Sequence, residues 1–240
     1  MANYKVIIPH IKASEGGMSR AKTDTASAKP APYKTTAYNA NTRRTETASD
    51  WHTNKGITWE TFSTNGKLGY VVNQSNWEKM PDAIWELIYK KIYWDNIGGD
   101  FIKSQAIANY LADWSWGAYY VTAVKNAQQV LNRSFGYKLS EDGEIGAKTL
   151  AAINAVNPAQ FLELLRKEHL DFYAQVVKRN PSQAANIKGW TARVNDLYAL
   201  SSKYLTTTTA IGVGGIFFLL AVIFGIYKLT KTEKTRYEMV

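Results

Sequence analysis

Glu15 lies in the run Ser14-Glu15-Gly16-Gly17, where an apolar stretch gives way to two glycines. A carboxyl group that stays protonated near neutral pH can give its proton to a leaving oxygen, as cleavage of a glycosidic bond requires. The C-terminal end of a helix favours the protonated form, because the negative end of the macrodipole opposes a carboxylate. Burial under aromatic rings would raise the pKa further. Gly16 and Gly17 turn the chain and leave backbone free of side chains, so that a sugar could approach. The same four residues also read as a plain helix stop carrying an exposed Glu. A second cluster is Trp51-His52-Thr53-Asn54-Lys55-Gly56-Ile57-Thr58. Thr53, Asn54 and Thr58 can donate and accept hydrogen bonds to a water or to sugar hydroxyls, and Trp51 adds a ring of the kind that stacks on sugars. Thr58 also suits the N-cap of a following helix.

The elements that must position these groups read as helical. Residues 3–15 form a first helix with Val6, Ile7, Ile8 and Ile11 apolar, stopped by the glycine pair. Residues 18–55 are rich in Thr, Ala, Ser, Asn and Lys without a period and read as one long functional or mobile loop. A short helix runs from Thr58 to about Ser63. Pro81 opens another, with Ile84, Trp85, Leu87, Ile88 and Ile92 on a wide apolar face. The pattern continues over 102–114 and 118–133, then over 157–178 with Phe161, Leu164, Leu165 and Tyr173, and closes over 188–204. Leu68–Val72 is the single strand-like stretch, and no internal repeat is present.

Composition bounds the possibilities. The 240 residues carry a formal net charge of +9, with 13% aromatic residues and eight Trp. Such a charge suits anionic partners, but no Arg/Lys-rich run of the nucleic-acid type occurs, so no nucleic-acid partner is expected. There is no Cys, which excludes disulfides and thiolate chemistry. The three His, at 10, 52 and 169, lack metal-ligand spacing, and Asp142-Gly143-Glu144 lacks the alternating oxygens of a calcium loop; no metal and no cofactor is expected. No phosphate loop or Gly-x-Ser-x-Gly elbow is found. The first twenty residues do not form a secretory signal. Residues 206–227 contain no charge over 22 positions. As a helix they would reach about 33 Å, enough to span a bilayer core. Lys228, Lys231, Lys234 and Arg236 follow, which leans towards a cytoplasmic or virion-interior C-terminus.

Glu-Gly-Gly ending the first helix, followed by Asn54-Lys55-Gly56-Ile57-Thr58 entering the second, resembles the N-terminal signature of muramidases of glycoside hydrolase family 108. Lys91-Ile92-Tyr93-Trp94 is similar to that family's Tyr-Trp helix end. Ala112-Asp113-Trp114 and Gln128-Gln129-Val130-Leu131 are similar to its Asp- and Gln-containing helices. Asp142-Gly143-Glu144-Ile145-Gly146-Ala147-Lys148-Thr149-Leu150 resembles the turn of its predicted peptidoglycan-binding region, and Gly189-Trp190-Thr191-Ala192-Arg193 its closing motif. The resemblance spans roughly residues 3–200. It implies an all-α, lysozyme-like catalytic region at 1–135, a helical peptidoglycan-binding region at 136–204, and Glu15 as catalytic acid. A single C-terminal transmembrane helix at 205–229 and a basic tail at 230–240 would complete the chain. The expected reaction is hydrolysis of the β-1,4 bond after N-acetylmuramic acid in peptidoglycan glycan strands. A lytic transglycosylase and an inactive wall-binding virion protein are the alternatives. The short Asp-x-Gly-Gly-x-Thr stretch usual after Glu-Gly-Gly is replaced by residues 18–55. Asp24, with Asp50 as the other nearby carboxylate, is the candidate second group; otherwise one Glu works with a water held by Thr or Asn. The expected setting is a bacteriophage lytic enzyme for lysis or genome delivery. It would sit in the host inner membrane or the internal membrane of a virion, with the lipid membrane and other virion or membrane proteins as partners.

Overall fold

The computed structural model describes residues 1–205, which form one compact unit. The first helical stretch begins as a 3-10 turn at Tyr4–Val6 and becomes α1 (Ile8–Ser14), with Pro9 in its first turn and Ile8 and Ile11 buried. Five short strands follow: β1 (Met18–Ser19), β2 (Thr35–Asn39), β3 (Arg44–Ala48), β4 (Thr53–Asn54) and β5 (Ile57–Thr58). They form one mixed sheet in the order β3-β2-β1-β4-β5, with β1 and β2 parallel and the other pairs antiparallel.

This sheet corrects two expectations. The described residues are not purely α-helical, and residues 18–55 are not one loop, because they carry β1, β2, β3 and β4. The pattern escaped a hydrophobic reading because β2 turns Thr35, Ala37 and Asn39 inward while Thr36 and Tyr38 face out. The alternation is of burial, not of apolarity. Its polar inward atoms are used: the Trp51 indole donates to the Thr35 carbonyl at 2.9 Å, and the Thr35 hydroxyl meets Glu78 at 2.8 Å. Leu68–Val72 is no strand; Gly66–Leu68 is a 3-10 turn, and the stretch after it is irregular.

The helices then take over: α2 (Trp59–Thr64), α3 (Gln74–Lys79), α4 (Asp82–Tyr89), α5 (Gln105–Ala118), α6 (Tyr120–Phe135), α7 (Ala147–Ala155), α8 (Pro158–Arg179) and α9 (Ile187–Ser202). α4 runs on into a wide π turn at Lys90–Trp94. α5 is capped by Ser104, and residues 106–115 are all buried. A helix covered on every side is the axis around which a domain packs. α8 starts with Asn157 accepting from the amides of Ala159 and Gln160 and with Pro158 at its first position, the usual signals of a helix start. A column of rings joins α5, α8 and α9: Trp114 on His169 at 3.9 Å, His169 on Tyr173 at 4.8 Å, Tyr173 on Trp190 at 4.7 Å. Burial inside this column, with the Arg193 charge nearby, drops the His169 pKa to about 3, so the ring is neutral at physiological pH.

The expectation of a transmembrane helix at 205–229 is not upheld. Among the described residues no helix is long and apolar enough to cross a membrane. Residues 206–240 themselves lie outside the described residues. A single-pass membrane protein is therefore not supported.

The approach to α7 hangs on Gln128 of α6, which is 1% exposed. Its amide nitrogen donates to the Asp142 carboxylate and the Glu144 carbonyl, both at 3.0 Å, and to the Thr149 hydroxyl at 3.2 Å, while its carbonyl oxygen accepts from the Gly143 amide at 2.9 Å. Replacing Gln128 with Leu strands those buried groups. We expect a loss of about 1–3 kcal/mol, read as a fall in Tm of about 2–4 °C per kcal/mol. An unchanged melting curve would refute this role for the side chain.

Candidate active site

α1 ends at Glu15, whose backbone is extended (φ −99°, ψ 133°) and turns the chain towards the sheet. The Glu15 carboxylate accepts a hydrogen bond from the Trp116 indole at 2.6 Å, across 101 residues of sequence. Trp116 is on the last turn of α5 and is packed by Trp85, Tyr89 and Tyr93, with ring centroids 5.3, 5.8 and 4.7 Å away. The π turn after α4 carries Tyr93 to this place, and such turns recur at functional sites. Burial raises the Glu15 pKa above the ordinary carboxyl value; the Trp116 hydrogen bond and the Arg193 charge pull it down, and the Asp113 charge pushes it up. The net direction is upward, which suits an acid that must hold its proton.

The two charges that reach Glu15 are a pair. Asp113 of α5 is 1% exposed and accepts from Arg193 of α9 through both oxygens, at 2.7 and 3.2 Å. His10 of α1 brings Nε2 to 3.9 Å from the same carboxylate. Burial pulls the Arg193 pKa down, but the charge and hydrogen bonds of Asp113, together with Glu15, outweigh it and the pKa is raised.

The sheet closes the other side with backbone. β4 and β5 are joined by Lys55-Gly56, with φ of 46° and 76°. Two positive φ values in a two-residue hairpin loop are the signature of a type I′ turn, for which glycine is favoured at the second position. Gly56 is also pressed against the acid: a Cβ there would fall 2.3 Å from Glu15 Oε2 and 2.5 Å from Trp116. Gly16 and Gly17 do similar work. A Cβ on Gly16 would fall 2.6 Å from that of Ala40, and one on Gly17 3.0 Å from the Tyr38 carbonyl. These glycines admit the β2–β3 hairpin to the acid, where the sequence suggested clearance for a sugar.

Several candidate side chains are occupied elsewhere. Asn54 is 2% exposed and donates to the Trp77 and Glu78 carbonyls at 2.6 and 3.1 Å. Thr58 caps α2, accepting from the Thr61 amide at 3.1 Å. Trp51 is fully buried beneath Arg20. Thr53 is half-buried, with its hydroxyl 3.0 Å from His52 Nδ1. Asp24 is exposed and caps a 3-10 turn at Thr25–Ala28, accepting from the Ala26 amide at 2.9 Å. Asp50 pairs with Arg20 at 2.7 Å, and this hydrogen bond and charge, with a smaller pull from Lys22, hold its pKa below the ordinary value against the opposing effect of burial. Neither carboxylate is among the charges that act on Glu15. Trp116, Asp113, Arg193, Tyr93 and Gly56 are the surroundings that sequence reasoning did not assign to the acid. The signal for Asp113 and Arg193 lay in the short motifs that contain them. Tyr93 and Gly56 also lay inside such motifs, Lys91-Ile92-Tyr93-Trp94 and Asn54-Lys55-Gly56-Ile57-Thr58, whereas Trp116 lay only near one.

Two outcomes follow from this geometry. Arg193→Met leaves Asp113 buried without its counter-charge, which destabilises by about 3–5 kcal/mol; the double variant Asp113→Leu, Arg193→Met should recover a large part of that loss in chemical denaturation. Trp116→Phe removes a donor that favours the Glu15 carboxylate, so the Glu15 pKa should rise further. The alkaline limb of the pH–activity profile should then move to higher pH, and a shift to lower pH would contradict the assigned role.

The family model of glycosyl hydrolase 108 matches residues 8–118, and that of a predicted peptidoglycan domain matches residues 122–195. The solved structure of Brucella abortus SagA shares the fold, with a TM-score of 0.60 at 22% identity over 84% of this chain and 94% of that one. No curated protein matches the chain in sequence. With Glu15, Trp116 and Gly56 inside the first matched region and Arg193 inside the second, the chain carries a glycosyl hydrolase 108 region followed by a peptidoglycan-domain region and is a peptidoglycan-degrading, lysozyme-like enzyme.

Proposed function

We propose that the protein is an N-acetylmuramidase in which Glu15 is the general acid for cleavage of the β-1,4 bond between N-acetylmuramic acid and N-acetylglucosamine. The observation that carries this is the Glu15 carboxyl, held by the Trp116 indole at 2.6 Å, with its pKa raised chiefly by burial. In the ground state the protonated carboxyl faces the glycosidic oxygen and transfers its proton as the bond to the anomeric carbon breaks. As negative charge develops on Glu15, the indole N–H and the nearby Arg193 charge stabilise it. Water then attacks the sugar cation, and its proton returns to Glu15.

A second reading rests on a specific observation. The carboxylate charge acting on Glu15 is that of Asp113, which is bound to Arg193 and is not free to attack a sugar. An enzyme working with one Glu can also capture the cation with the substrate's own C6 hydroxyl, as a lytic transglycosylase does. Mass spectrometry of released muropeptides separates the two, since hydrolysis leaves a reducing end and the transglycosylase leaves an anhydro sugar.

Glu15→Gln tests the acid itself. A positioned acid contributes on the order of 10²- to 10⁴-fold in rate, so peptidoglycan cleavage should fall by at least a hundredfold. The stability sign is opposite. Because the folded pKa of Glu15 is raised, the contribution of this group to stability is greatest below the unfolded carboxyl pKa and is lost as pH rises through the folded one. The amide carries no such penalty and still accepts from Trp116, so at neutral pH the variant should melt at the same temperature or higher. Retention of more than a tenth of wild-type activity would remove Glu15 from the role.

A further inference from the structure

Exposed large apolar side chains are few among the described residues, and two of them are tyrosines that meet the surroundings of Glu15: Tyr38 at 52% exposure and Tyr119 at 53%. Tyr119 joins α5 to α6, three residues after Trp116. Its phenol lies near enough to Tyr93 to help push the Tyr93 pKa up to about 12, an effect in which burial comes first and the Glu15 charge also takes part. Tyr93 in turn packs on Trp116 at 4.7 Å. Trp116, Tyr93 and Tyr119 thus lead from the acid to solvent. Tyr38 stands on the outer face of β2 beside the Glu-Gly-Gly turn, and a Cβ on Gly17 would come within 3.7 Å of its ring.

The backbone at Tyr119 separates a functional ring from an incidental one. Its φ of 70° with ψ of 147° belongs to a region that glycine enters readily and side-chain-bearing residues avoid. The carbonyl does the structural work of the corner, accepting from the amides of Thr122 and Ala123 at 3.1 and 3.3 Å. A glycine would do that equally well. The ring recovers little by burial, since half of it is exposed, and it is braced by Tyr120 with centroids 4.6 Å apart. A strained, braced and exposed aromatic ring at the solvent end of the rings that lead to Glu15 is arranged to meet a ligand with a flat apolar face.

We propose that Tyr119 and Tyr38 are saccharide-stacking platforms of the Glu15 site, binding the apolar faces of pyranose rings in the glycan strand on either part of the bond to be cleaved. They are specificity-determining residues for the polymer and take no part in proton transfer. The inference rests on the reading of Glu15 as the acid of a glycan-cleaving site.

The test uses the full chain and a soluble oligosaccharide of alternating N-acetylglucosamine and N-acetylmuramic acid. Steady-state kinetics are measured for Tyr119→Gly, Tyr119→Phe, Tyr38→Ala and the double variant Tyr119→Gly, Tyr38→Ala. The Kd of the same oligosaccharide is measured by calorimetry with each change placed on Glu15→Gln. Tyr119→Gly relieves the backbone and should melt no lower than wild type, so lost binding cannot come from lost fold. Its KM and Kd should rise about tenfold, the scale of one aromatic contact, with kcat within about threefold. Tyr119→Phe, which keeps the ring, should bind as wild type does. Tyr38→Ala should weaken binding similarly, and the double variant by about the product of the two effects. Wild-type Kd in Tyr119→Gly, or equal losses in Tyr119→Gly and Tyr119→Phe, overturns the proposal. Failure of the underlying reading shows separately, as cleavage by Glu15→Gln itself, and leaves the Kd comparison readable.

Discussion

The Asp113–Arg193 ion pair is the interaction on which the site depends. Asp113 lies within the most enclosed helix among the described residues, where an unpaired carboxylate would be untenable, and Arg193 answers it through both oxygens. The pair fixes how α9 lies on α5, and the aromatic column through Trp114, His169, Tyr173 and Trp190 packs alongside it. It also sets the electrical surroundings of Glu15. Asp113 and Arg193 act on the acid with opposite signs, so their influences largely oppose one another and burial is left as the leading influence on its protonation. A neutralised pair gives the acid an apolar shelter without an adjacent bare charge to fix it in one state.

How far the sequence revealed this depends on the kind of signal each part carries. The helices were legible because their burial follows apolar periodicity: α8 turns Phe161, Leu162, Leu165 and Tyr173 inward, and Pro158 and Asn157 mark its start. The half-buried setting of Glu15 was not legible from its position before two glycines, which also fits an exposed helix stop; the ordered motifs around it singled it out. The sheet was not legible, because its inward positions are filled by Thr35, Ala37 and Asn39, and strands of two to five residues leave no period to detect. Trp51 and Asn54 illustrate a different limit. An indole or an amide near a catalytic motif can face ligand or interior with equal ease, and here both are buried against backbone carbonyls. Trp116 and Arg193 reach the site from 101 residues beyond Glu15 and 80 beyond Asp113, and nothing local in the chain announces such a meeting.

The acid is enclosed by two unlike materials. On the helical side it meets aromatic rings with a single indole donor; on the sheet side it meets main chain at Gly56, with Gly16 and Gly17 allowing the β2–β3 hairpin close. Rings exclude water while offering few polar atoms, which favours the protonated carboxyl. Backbone at a glycine takes up almost no volume, leaving Glu15 Oε2 beside the hairpin turn. The short strands therefore contribute to the chemistry chiefly through what they lack: side chains at the points of closest approach.

Arg193 falls in the region matched to a predicted peptidoglycan domain, whereas Glu15 and Asp113 fall in the region matched to glycosyl hydrolase 108. The second matched region therefore supplies the guanidinium that makes a buried carboxylate of the first tolerable. A chain in which residues 122–195 were exchanged for a foreign segment would keep Glu15 together with an uncompensated charge buried in α5. The two matched regions are thereby tied to one another: the second can be exchanged without loss only for a segment that returns a cation to the place of Arg193.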